Sequence, residues 1–561
     1  MRSLWILSSL ALSVQAQRAP CPILGPAYPA PTGLSIDPLF LNATEKLTSQ
    51  LNEAIDNGTL PSISIAVQIF SSEENDSAFS FYHTDNVVTV GSSGVQEVDE
   101  NTVFRIGSVS KLWTMFLYMT LDGMRYFHEP ISKYVPELQV NYTAEQEANV
   151  IDYVQWNDVT IGELASHQAG ITRDYAFGDI GFQSSDLQHL GFPQLSEEEQ
   201  LPCGDTSRCD RKQFFNGLLK AHPMTLTSQT PIYSNAGYQI LGYALESIAH
   251  ANYEDVLLDR LIEPLNLTQS SLKAPDARLA VIPQNETFSW FSYDIGEEAP
   301  AGGIFSSVKD MSTFGRAVLS NALVDPATTR RWMKPLTPTS SLQHSVGAPW
   351  EIYTYMIPRR VDLYTKSGDI GLYSNFFGLS PDHKAGLTVM VAGGNSHHMT
   401  SRISEMVTDI LLPTLDEIAR NQALKRFGGT YALTSGSSNS SITITADDSW
   451  GMKVTSWISD SVDMIETIMS LQGVTDPSLL TIRLQPSGLQ TSGRISFLAV
   501  IYGLPIPSDT GPILGSCFSW ILLESMVYGN VGLPEFEFEI DEHGNATSLS
   551  PRALRIQLPR I

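Results

Sequence analysis

One segment of this chain, residues 108–121, constrains its fold most, because nearly every side chain after its first turn is apolar. A helix that is apolar on all faces is stable only where other elements cover it on every side. The segment therefore predicts a central helix inside a globular domain. The chain has 561 residues, of which 42% are hydrophobic, so more than one domain core is expected.

The elements predicted around this helix follow the order helix, strands, helices, strands, helix. Helices are predicted at 44–55, 108–121, 161–167, 236–249, 255–261, 306–319 and 403–419, and strands at 62–70, 79–82, 87–90, 363–366, 373–379 and 387–391. That order predicts an α/β (α+β) domain over 41–424, in which an antiparallel sheet carries flanking helices and a helical subdomain. Short strand-like segments separated by turn residues then predict a C-terminal all-β domain over 425–561.

The N-terminus is typical of a secretory signal peptide. Arg2 precedes an apolar run over 4–14, and Ala16 is a small residue suited to cleavage before position 17. We predict a signal peptide over 1–16, an extended leader over 17–40 and a secreted, extracellular protein, with an uncleaved N-terminal anchor as the alternative. Eight Asn-x-Ser/Thr sequons favour a secreted glycoprotein. Their asparagines are Asn42, Asn57, Asn75, Asn141, Asn266, Asn285, Asn439 and Asn545.

The four cysteines predict two disulfides, because an even count in an oxidising compartment favours pairing. Cys203 and Cys209 enclose a short loop and are expected to pair, which leaves Cys21 for Cys517. Four free thiols are the alternative. The sequence has no Cys-x-x-Cys motif, and an exposed His-His pair at 397–398 is interpreted as incidental, so we expect no metal and no other cofactor.

The charge of the chain is strongly acidic, with a formal net charge of −26. Such a field repels polyanions, so we expect no nucleic-acid partner and no binding to anionic membrane surfaces. After the N-terminal run, no uninterrupted apolar stretch of about 18 residues follows that would span a bilayer. The sequence does not indicate an oligomeric state.

Three short motifs carry residues suited to catalysis, and they occur in one order: Ser-x-x-Lys at 108–111, Tyr-Ser-Asn at 233–235 and Lys-Ser-Gly at 366–368. A serine three residues before a lysine lies on the same face of a helix. The free N–H groups of a helix N-terminus can stabilise an oxyanion. The first motif therefore predicts an activated serine at the start of the central helix.

Chance matches to these motifs also occur. Ser-x-x-Lys recurs at 270–273 and 306–309, and Tyr-Ser-Asn recurs at 373–375. Only the match at 108–111 is followed in order by the other two motifs. We interpret the match at 306–309 as part of a structural helix and the one at 373–375 as ordinary strand sequence.

This constellation resembles the serine β-lactamase and penicillin-binding-protein family, in its class C and esterase-like branch. Segments 104–111, 160–171 and 300–307 resemble characteristic segments of that branch, and the resemblance covers roughly residues 40–420. It implies a β-lactamase/transpeptidase-like fold, a small-molecule acyl substrate and a serine hydrolase that acts through an acyl-enzyme. The C-terminal β domain lies outside the resemblance.

The resemblance implies a role for each motif residue. Ser108 would be the nucleophile, Lys111 would take its proton, and Tyr233 would share that proton and protonate the leaving group. An ordinary lysine, with a pKa of about 10.4, is charged at neutral pH. Burial and the neighbouring charge of Lys366 are expected to lower the pKa of Lys111.

The substrate-binding residues follow from the same resemblance. Asn235 would bind the substrate or hold the lysine of the first motif, and Lys366, Ser367 and Gly368 would form the strand at the edge of the cleft. The oxyanion hole would be the backbone N–H groups of Ser108 and Asp369.

Two features depart from the family pattern. Asp369 stands where a small residue is usual, and its carboxylate would repel acidic substrates. The long segment 174–222 adds residues between the first two motifs and can reshape the cleft. The predicted function is hydrolysis of an ester, lactone, lactam or amide. Acyl transfer to an alcohol or amine, or a non-catalytic binding protein of the same fold, are the alternatives.

Overall fold

The computed structural model describes residues 21–86, 93–182, 187–204, 208–433, 439–502 and 516–561. The predicted signal peptide over 1–16 and the predicted strand over 87–90 lie outside these residues. Within them, no helix combines the length and the apolar character needed to cross a membrane.

The chain divides into two compact units. The larger one comprises residues 32–355 and 361–415, and the smaller one comprises 416–561 with 356–360 and the described residues up to 31. The domain limits 41–424 and 425–561 remain predictions. The helices that lie or begin in the larger unit are α1 (Pro38–Asp56), α2 (Ser110–Thr120), α3 (Gly123–Tyr126), α4 (Ala144–Ala148), α5 (Ile161–Ala165), α6 (Arg211–Leu218), α7 (Asn235–Ala249), α8 (Tyr253–Leu257), α9 (Glu263–Leu265), α10 (Ala299–Gly302), α11 (Val308–Ser320), α12 (Pro326–Trp332) and α13 (Ser396–Phe427).

The sheet of the larger unit is antiparallel in its registered pairs and has the strand order β2-β1-β10-β9-β8-β7-β6-β5. The separate pair β3–β4 lies beside the start of the central helix. The strands are β1 (Ile63–Ser71), β2 (Ser77–His83), β3 (Val103–Arg105), β4 (Phe305–Ser307), β5 (Thr337–Pro338), β6 (His344–Val346), β7 (Glu351–Met356), β8 (Arg360–Ile370), β9 (Tyr373–Ser380) and β10 (Ala385–Gly393). The predicted antiparallel sheet with flanking helices is confirmed.

The central helix α2 is buried along nearly its whole length, as its apolar sequence predicts. Aromatic side chains connect it to the sheet through α11. Trp113 of α2 packs on Phe314 of α11 with ring centroids 5.4 Å apart, and Phe314 packs on Phe377 of β9 at 5.7 Å. The sheet, α11 and α2 therefore share one core, which holds the N-terminus of α2 in place.

Helix α1 begins earlier than the sequence pattern predicts. Its first residue is Pro38, and the carboxylate of Asp37 caps it by accepting a hydrogen bond from the N–H of Leu39. Thr44, where the sequence pattern predicts the helix to begin, lies inside the helix, and its hydroxyl donates to the carbonyl of Phe40. Proline is favourable at a first helical position because its missing N–H is not needed there.

The smaller unit is built on a sheet with the strand order β11-β12-β13-β15-β16-β19-β20-β21, and β14 pairs with β13. Two α-helices begin within the described part of this unit, and one of them, over 464–472, is capped by Asp463. The elements are β11 (Gly429–Leu433), β12 (Ser440–Thr445), β13 (Met452–Ser459), β14 (Val462–Asp463), α14 (Met464–Gln472), β15 (Thr481–Thr491), β16 (Arg494–Tyr502), α15 (Ser519–Leu522), β17 (Val527–Tyr528), β18 (Val531–Gly532), β19 (Glu535–Ile540), β20 (Ala546–Pro551) and β21 (Leu558–Pro559).

Both predicted disulfides are confirmed. Cys203–Cys209 closes a short loop in the larger unit, and Cys21–Cys517 joins distant parts of the chain within the smaller unit. Seven of the eight sequon asparagines are exposed. The eighth, Asn545, is half-buried, and its amide donates a hydrogen bond to Asp541.

Candidate active site

Ser108 and Lys111 lie at the start of the central helix, where a 3-10 turn over Gly107–Val109 leads into α2. Lys111 is fully buried and Ser108 is half-buried. The Nζ atom of Lys111 lies 3.0 Å from the Oγ atom of Ser108. The two side chains thus share one face, as their spacing predicts.

Lys111 has two further partners besides the serine. Its Nζ donates to Oδ1 of Asn235 at 2.6 Å and to the carbonyl of Ala301 at 2.7 Å. Asn235 is held in turn by Asp174, whose Oδ1 accepts from the asparagine Nδ2 at 2.7 Å. Asn235 was expected either to bind the substrate or to hold Lys111. Its hydrogen bond to Nζ of Lys111 corresponds to the second role.

Tyr233 reaches the same serine from the irregular segment that precedes α7. Its hydroxyl donates to Oγ of Ser108 at 2.6 Å. His167 lies against this tyrosine, with ring centroids 4.5 Å apart, and its Nδ1 accepts a hydrogen bond from the N–H of Ser234. Ser234 also caps α7 by accepting from the N–H of Gly237. The cap and the histidine together fix the direction of the tyrosine ring.

Lys366 lies on β8 at the other side of the tyrosine, with its Nζ 5.3 Å from the centroid of the Tyr233 ring. Glu351, the first residue of the neighbouring strand β7, holds both polar residues of this motif. One carboxylate oxygen of Glu351 accepts from Nζ of Lys366. The other accepts from the N–H and the hydroxyl of Ser367, each at 2.8 Å. Sequence reasoning missed this carboxylate.

Gly368 allows β8 to run directly beside Ser108, the candidate nucleophile. A Cβ atom at this position would lie 2.1 Å from the carbonyl oxygen of Ile106 and 2.9 Å from the N–H nitrogen of Ser108. From the other side, a Cβ on Gly107 would lie 2.7 Å from the backbone nitrogen of Asp369. The two N–H groups expected to form the oxyanion hole therefore belong to backbone segments in close contact.

Asn375 stabilises the contact between β8 and the segment before Ser108. It belongs to the second Tyr-Ser-Asn match, which we interpreted as ordinary strand sequence. Its buried amide donates to the carbonyl of Arg105 at 2.8 Å and to the carbonyl of Gly368 at 3.3 Å. Asp369 points to the surface, where both its oxygens lie 3.1 Å from Nδ1 of His397. The histidine interpreted as incidental thus pairs with the carboxylate that departs from the family pattern.

The electrostatics of the site favour a proton acceptor beside Ser108. Burial lowers the pKa of Lys111, Tyr233 opposes this effect, and the charge of Lys366 lowers the pKa further. Burial alone would raise the pKa of Tyr233, but the charges of Lys111 and Lys366 outweigh it, so that pKa lies below its ordinary value. Glu351 keeps Lys366 charged, because its negative charge outweighs burial and raises the pKa of that lysine.

These shifts predict a pH profile. We expect kcat/KM to rise with pH as Lys111 loses its proton, and the lowered pKa of Lys111 places this rise at a lower pH than an ordinary lysine would give. Replacing Lys366 by methionine removes the charge that lowers the pKa of Lys111, so the rise should move to higher pH. Steady-state kinetics across pH on the wild type and Lys366→Met measure this shift. Lys309→Met is the control, and an unmoved or downshifted profile in Lys366→Met would contradict the prediction.

A second prediction concerns the contact between β8 and the nucleophile. Gly368→Ala places a methyl group against the backbone of Ile106, so β8 must move away from Ser108. We expect kcat/KM to fall by about 10²-fold, the size of effect that a displacement of about 1 Å produces. Gly394→Ala is the matched control, because no atom lies within 4 Å of a Cβ added there. Wild-type activity in Gly368→Ala would show that the contact is not required.

The two other Ser-x-x-Lys matches form no comparable group. Lys273 pairs with Glu254 at 2.9 Å and Lys309 pairs with Glu100 at 2.6 Å, both at the surface. Ser270 and Ser306 instead hydrogen-bond each other at 2.9 Å.

Comparison with known proteins places this geometry in a family. The family model described as Beta-lactamase matches residues 75–405, and a second one, described as Beta-lactamase-like-like, C-terminal domain, matches 419–561. A "Beta-lactamase-like protein" of Arthroderma benhamiae is 26% identical over 99% of this chain and 97% of its own length. The protein named "Probable hydrolase M10" of a Phoma species is 26% identical over 76% of this chain and 71% of its own length.

Among solved structures, the octameric penicillin-binding protein homologue from Pyrococcus abyssi covers 90% of this chain and 97% of its own, with 17% identity and a TM-score of 0.46. The family model spans more than half of the 561 residues and includes all three motifs. This chain therefore belongs to the beta-lactamase-like family, whose members are hydrolases.

Proposed function

We propose that this protein is a secreted serine hydrolase that forms an acyl-enzyme on Ser108. One observation carries the proposal: the Nζ atom of Lys111 and the hydroxyl of Tyr233 both lie within hydrogen-bond distance of the Ser108 hydroxyl. Serine hydroxyls are weak nucleophiles and need a neighbouring base to react at neutral pH. A buried amine with a lowered pKa is suited to that role.

In the acylation step, Oγ of Ser108 attacks the carbonyl carbon of the substrate while its proton passes to Lys111. The N–H groups of Ser108 and Asp369 stabilise the negative oxygen of the tetrahedral intermediate. Tyr233 then gives its phenolic proton to the leaving group as the carbon–heteroatom bond breaks, and Lys111 returns the serine proton to Tyr233. The lowered pKa of this phenol and its hydrogen bond to Ser108 support the assignment.

Deacylation reverses these roles. A water molecule attacks the acyl carbon and its proton passes through Tyr233 to Lys111. The bond between Oγ of Ser108 and the acyl carbon then breaks, and that proton returns to Oγ. Asn235 positions Lys111 through both steps, since it links the lysine to Asp174. No metal or cofactor is required by this sequence of steps.

Secretion and glycosylation are part of the proposal. The two disulfides support passage through an oxidising compartment. The exposed sequon asparagines support attachment of sugar at the surface. N-terminal sequencing of the secreted protein, with residue 17 as the expected first residue, tests the predicted cleavage.

Product partitioning tests the acyl-enzyme directly. Two esters of one acid with different leaving groups pass through the same acyl-enzyme, so in water containing methanol they must give one ratio of acid to methyl ester. Ratios that differ between the two esters would contradict a common intermediate. A ratio strongly enriched in methyl ester at low methanol concentration would indicate acyl transfer as the main activity.

A further inference from the structure

Glu351 occupies the place in the site where a cleft-edge lysine and hydroxyl would meet a substrate carboxylate. Its two oxygens accept hydrogen bonds from the ammonium of Lys366 and from the hydroxyl and N–H of Ser367. Lys366 is buried, with only 1% of its side chain exposed, whereas Glu351 is 20% exposed. The carboxylate that the lysine and serine would recognise is therefore supplied by the protein itself.

Two further basic side chains near Ser108, an arginine and an imidazole, also lie against carboxylates. Arg173, which lies over the Tyr233 ring at 4.8 Å, pairs with Asp174 at 3.3 Å. His397 pairs with Asp369 at 3.1 Å. The charge of Asp369 also acts on Lys366. Burial lowers the pKa of this lysine, Glu351 and Tyr233 raise it, and Asp369 raises it by a smaller amount.

A substrate carboxylate bound beside Lys366 would thus lie close to the carboxylates of Glu351 and Asp369. Displacing Glu351 would leave that carboxylate without the three hydrogen bonds it accepts, which is costly for a charged group that is mostly buried. Two carboxylates that remain near each other repel strongly where water is partly excluded.

We propose that Glu351 acts as an internal substitute for a substrate carboxylate, so that the site takes acyl compounds without a carboxylate beside the scissile bond: neutral esters, lactones or amides. This inference rests on the proposed function and specifies its substrate class. Glu351 is a specificity-determining residue, assisted by Asp369 one residue beyond the Lys-Ser-Gly motif.

Two matched substrate pairs test the inference. In the first, 4-(butyryloxy)benzoic acid and its methyl ester differ by a carboxylate on the leaving group. In the second, mono-4-nitrophenyl glutarate and its methyl ester differ by a carboxylate on the acyl group. The ratio of kcat/KM within each pair is divided by the ratio of the hydroxide-catalysed rates, which removes intrinsic reactivity. We expect wild-type protein to favour the neutral member by about 30-fold in at least one pair.

Two variants test whether Glu351 and Asp369 cause the preference for the neutral substrate. Glu351→Gln should reduce the ratio to about 5-fold or less, whereas Glu45→Gln, which removes the same charge from the exposed face of α1, should leave it unchanged. Asp369→Asn is the second variant, because the side chain of Asp369 is exposed and its replacement is less of a risk to folding. It should also lower the preference for the neutral substrate. An unchanged ratio in both site variants would overturn the inference.

Failure of the inference is distinguishable from failure of the proposed function. Turnover that depends on Ser108 but is equal for both members of each pair, or faster for the acid, overturns the inference and leaves the hydrolase proposal standing. Absence of turnover contradicts the hydrolase proposal, and calorimetric binding of 3-carboxyphenylboronic acid and its methyl ester then decides the inference. Tighter binding of the methyl ester supports it, and equal or absent binding of the two overturns it.

Discussion

Replacing Ser108 by alanine is expected to lower kcat for a neutral activated ester by about 10⁴-fold or more, because the variant cannot form an acyl-enzyme. Lys111 and Tyr233 each form a hydrogen bond with the hydroxyl of Ser108. The backbone N–H groups near Gly368 remain in the variant and leave only a small residual rate. Steady-state kinetics with 4-nitrophenyl butyrate measure the loss.

The control for this variant is Ser49→Ala, which removes an exposed hydroxyl from α1 and should retain full activity. Thermal denaturation of both variants checks that they are folded. Turnover within about tenfold of wild type in folded Ser108→Ala would remove Ser108 from the mechanism, since loss of a true nucleophile has a far larger effect.

Replacing Lys111 by methionine is expected to reduce kcat/KM by about 10³-fold, the range that a general base contributes. Methionine keeps the length of the side chain but cannot accept the proton of Ser108. Lys111→Arg should be equally impaired, because arginine keeps the positive charge but does not lose a proton in proteins. The pair of variants thus separates proton acceptance from charge alone.

Lys309→Met is the matched control, because Lys309 belongs to another Ser-x-x-Lys match and pairs with Glu100 at the surface. Its activity should equal that of the wild type. Substantial activity in Lys111→Arg would contradict the role of the lysine as a base and would favour a purely electrostatic one.

The pair of candidate catalytic residues at the start of the central helix was predictable because it rests on local geometry. A three-residue spacing on a helix fixes the relation of Ser108 to Lys111 whatever surrounds the helix. The buried helix was equally predictable from its apolar sequence. Both features are confirmed as geometry, and the fold class is confirmed by the family match.

The residues that surround this group were not predictable in the same way. Glu351 reaches Lys366 only because β7 and β8 are neighbours in the sheet. The pairing of these two strands cannot be predicted from the sequence of either strand alone. Asn375 reaches Arg105 across 270 positions of sequence. Such contacts depend on tertiary packing, which hydrophobic periodicity and local propensity do not predict.

Helix boundaries show a related limit. The sequence pattern predicts that α1 begins at Thr44, because a threonine before an apolar pattern is typical of a helix cap. Asp37 followed by Pro38 is an equally good local signal, and the six additional residues bury Phe40 in the core. Burial of that side chain favours the longer helix.

The central claim is that Ser108 is an activated nucleophile, and intact-mass spectrometry after treatment with a fluorophosphonate tests it most directly. The reagent forms a stable phosphonyl adduct with a serine hydroxyl that a neighbouring base activates. The account predicts one adduct per deglycosylated wild-type chain, located at Ser108 by peptide mapping and absent from Ser108→Ala. An adduct that persists in Ser108→Ala, or an unlabelled wild-type chain that is folded and has an open site, would contradict it.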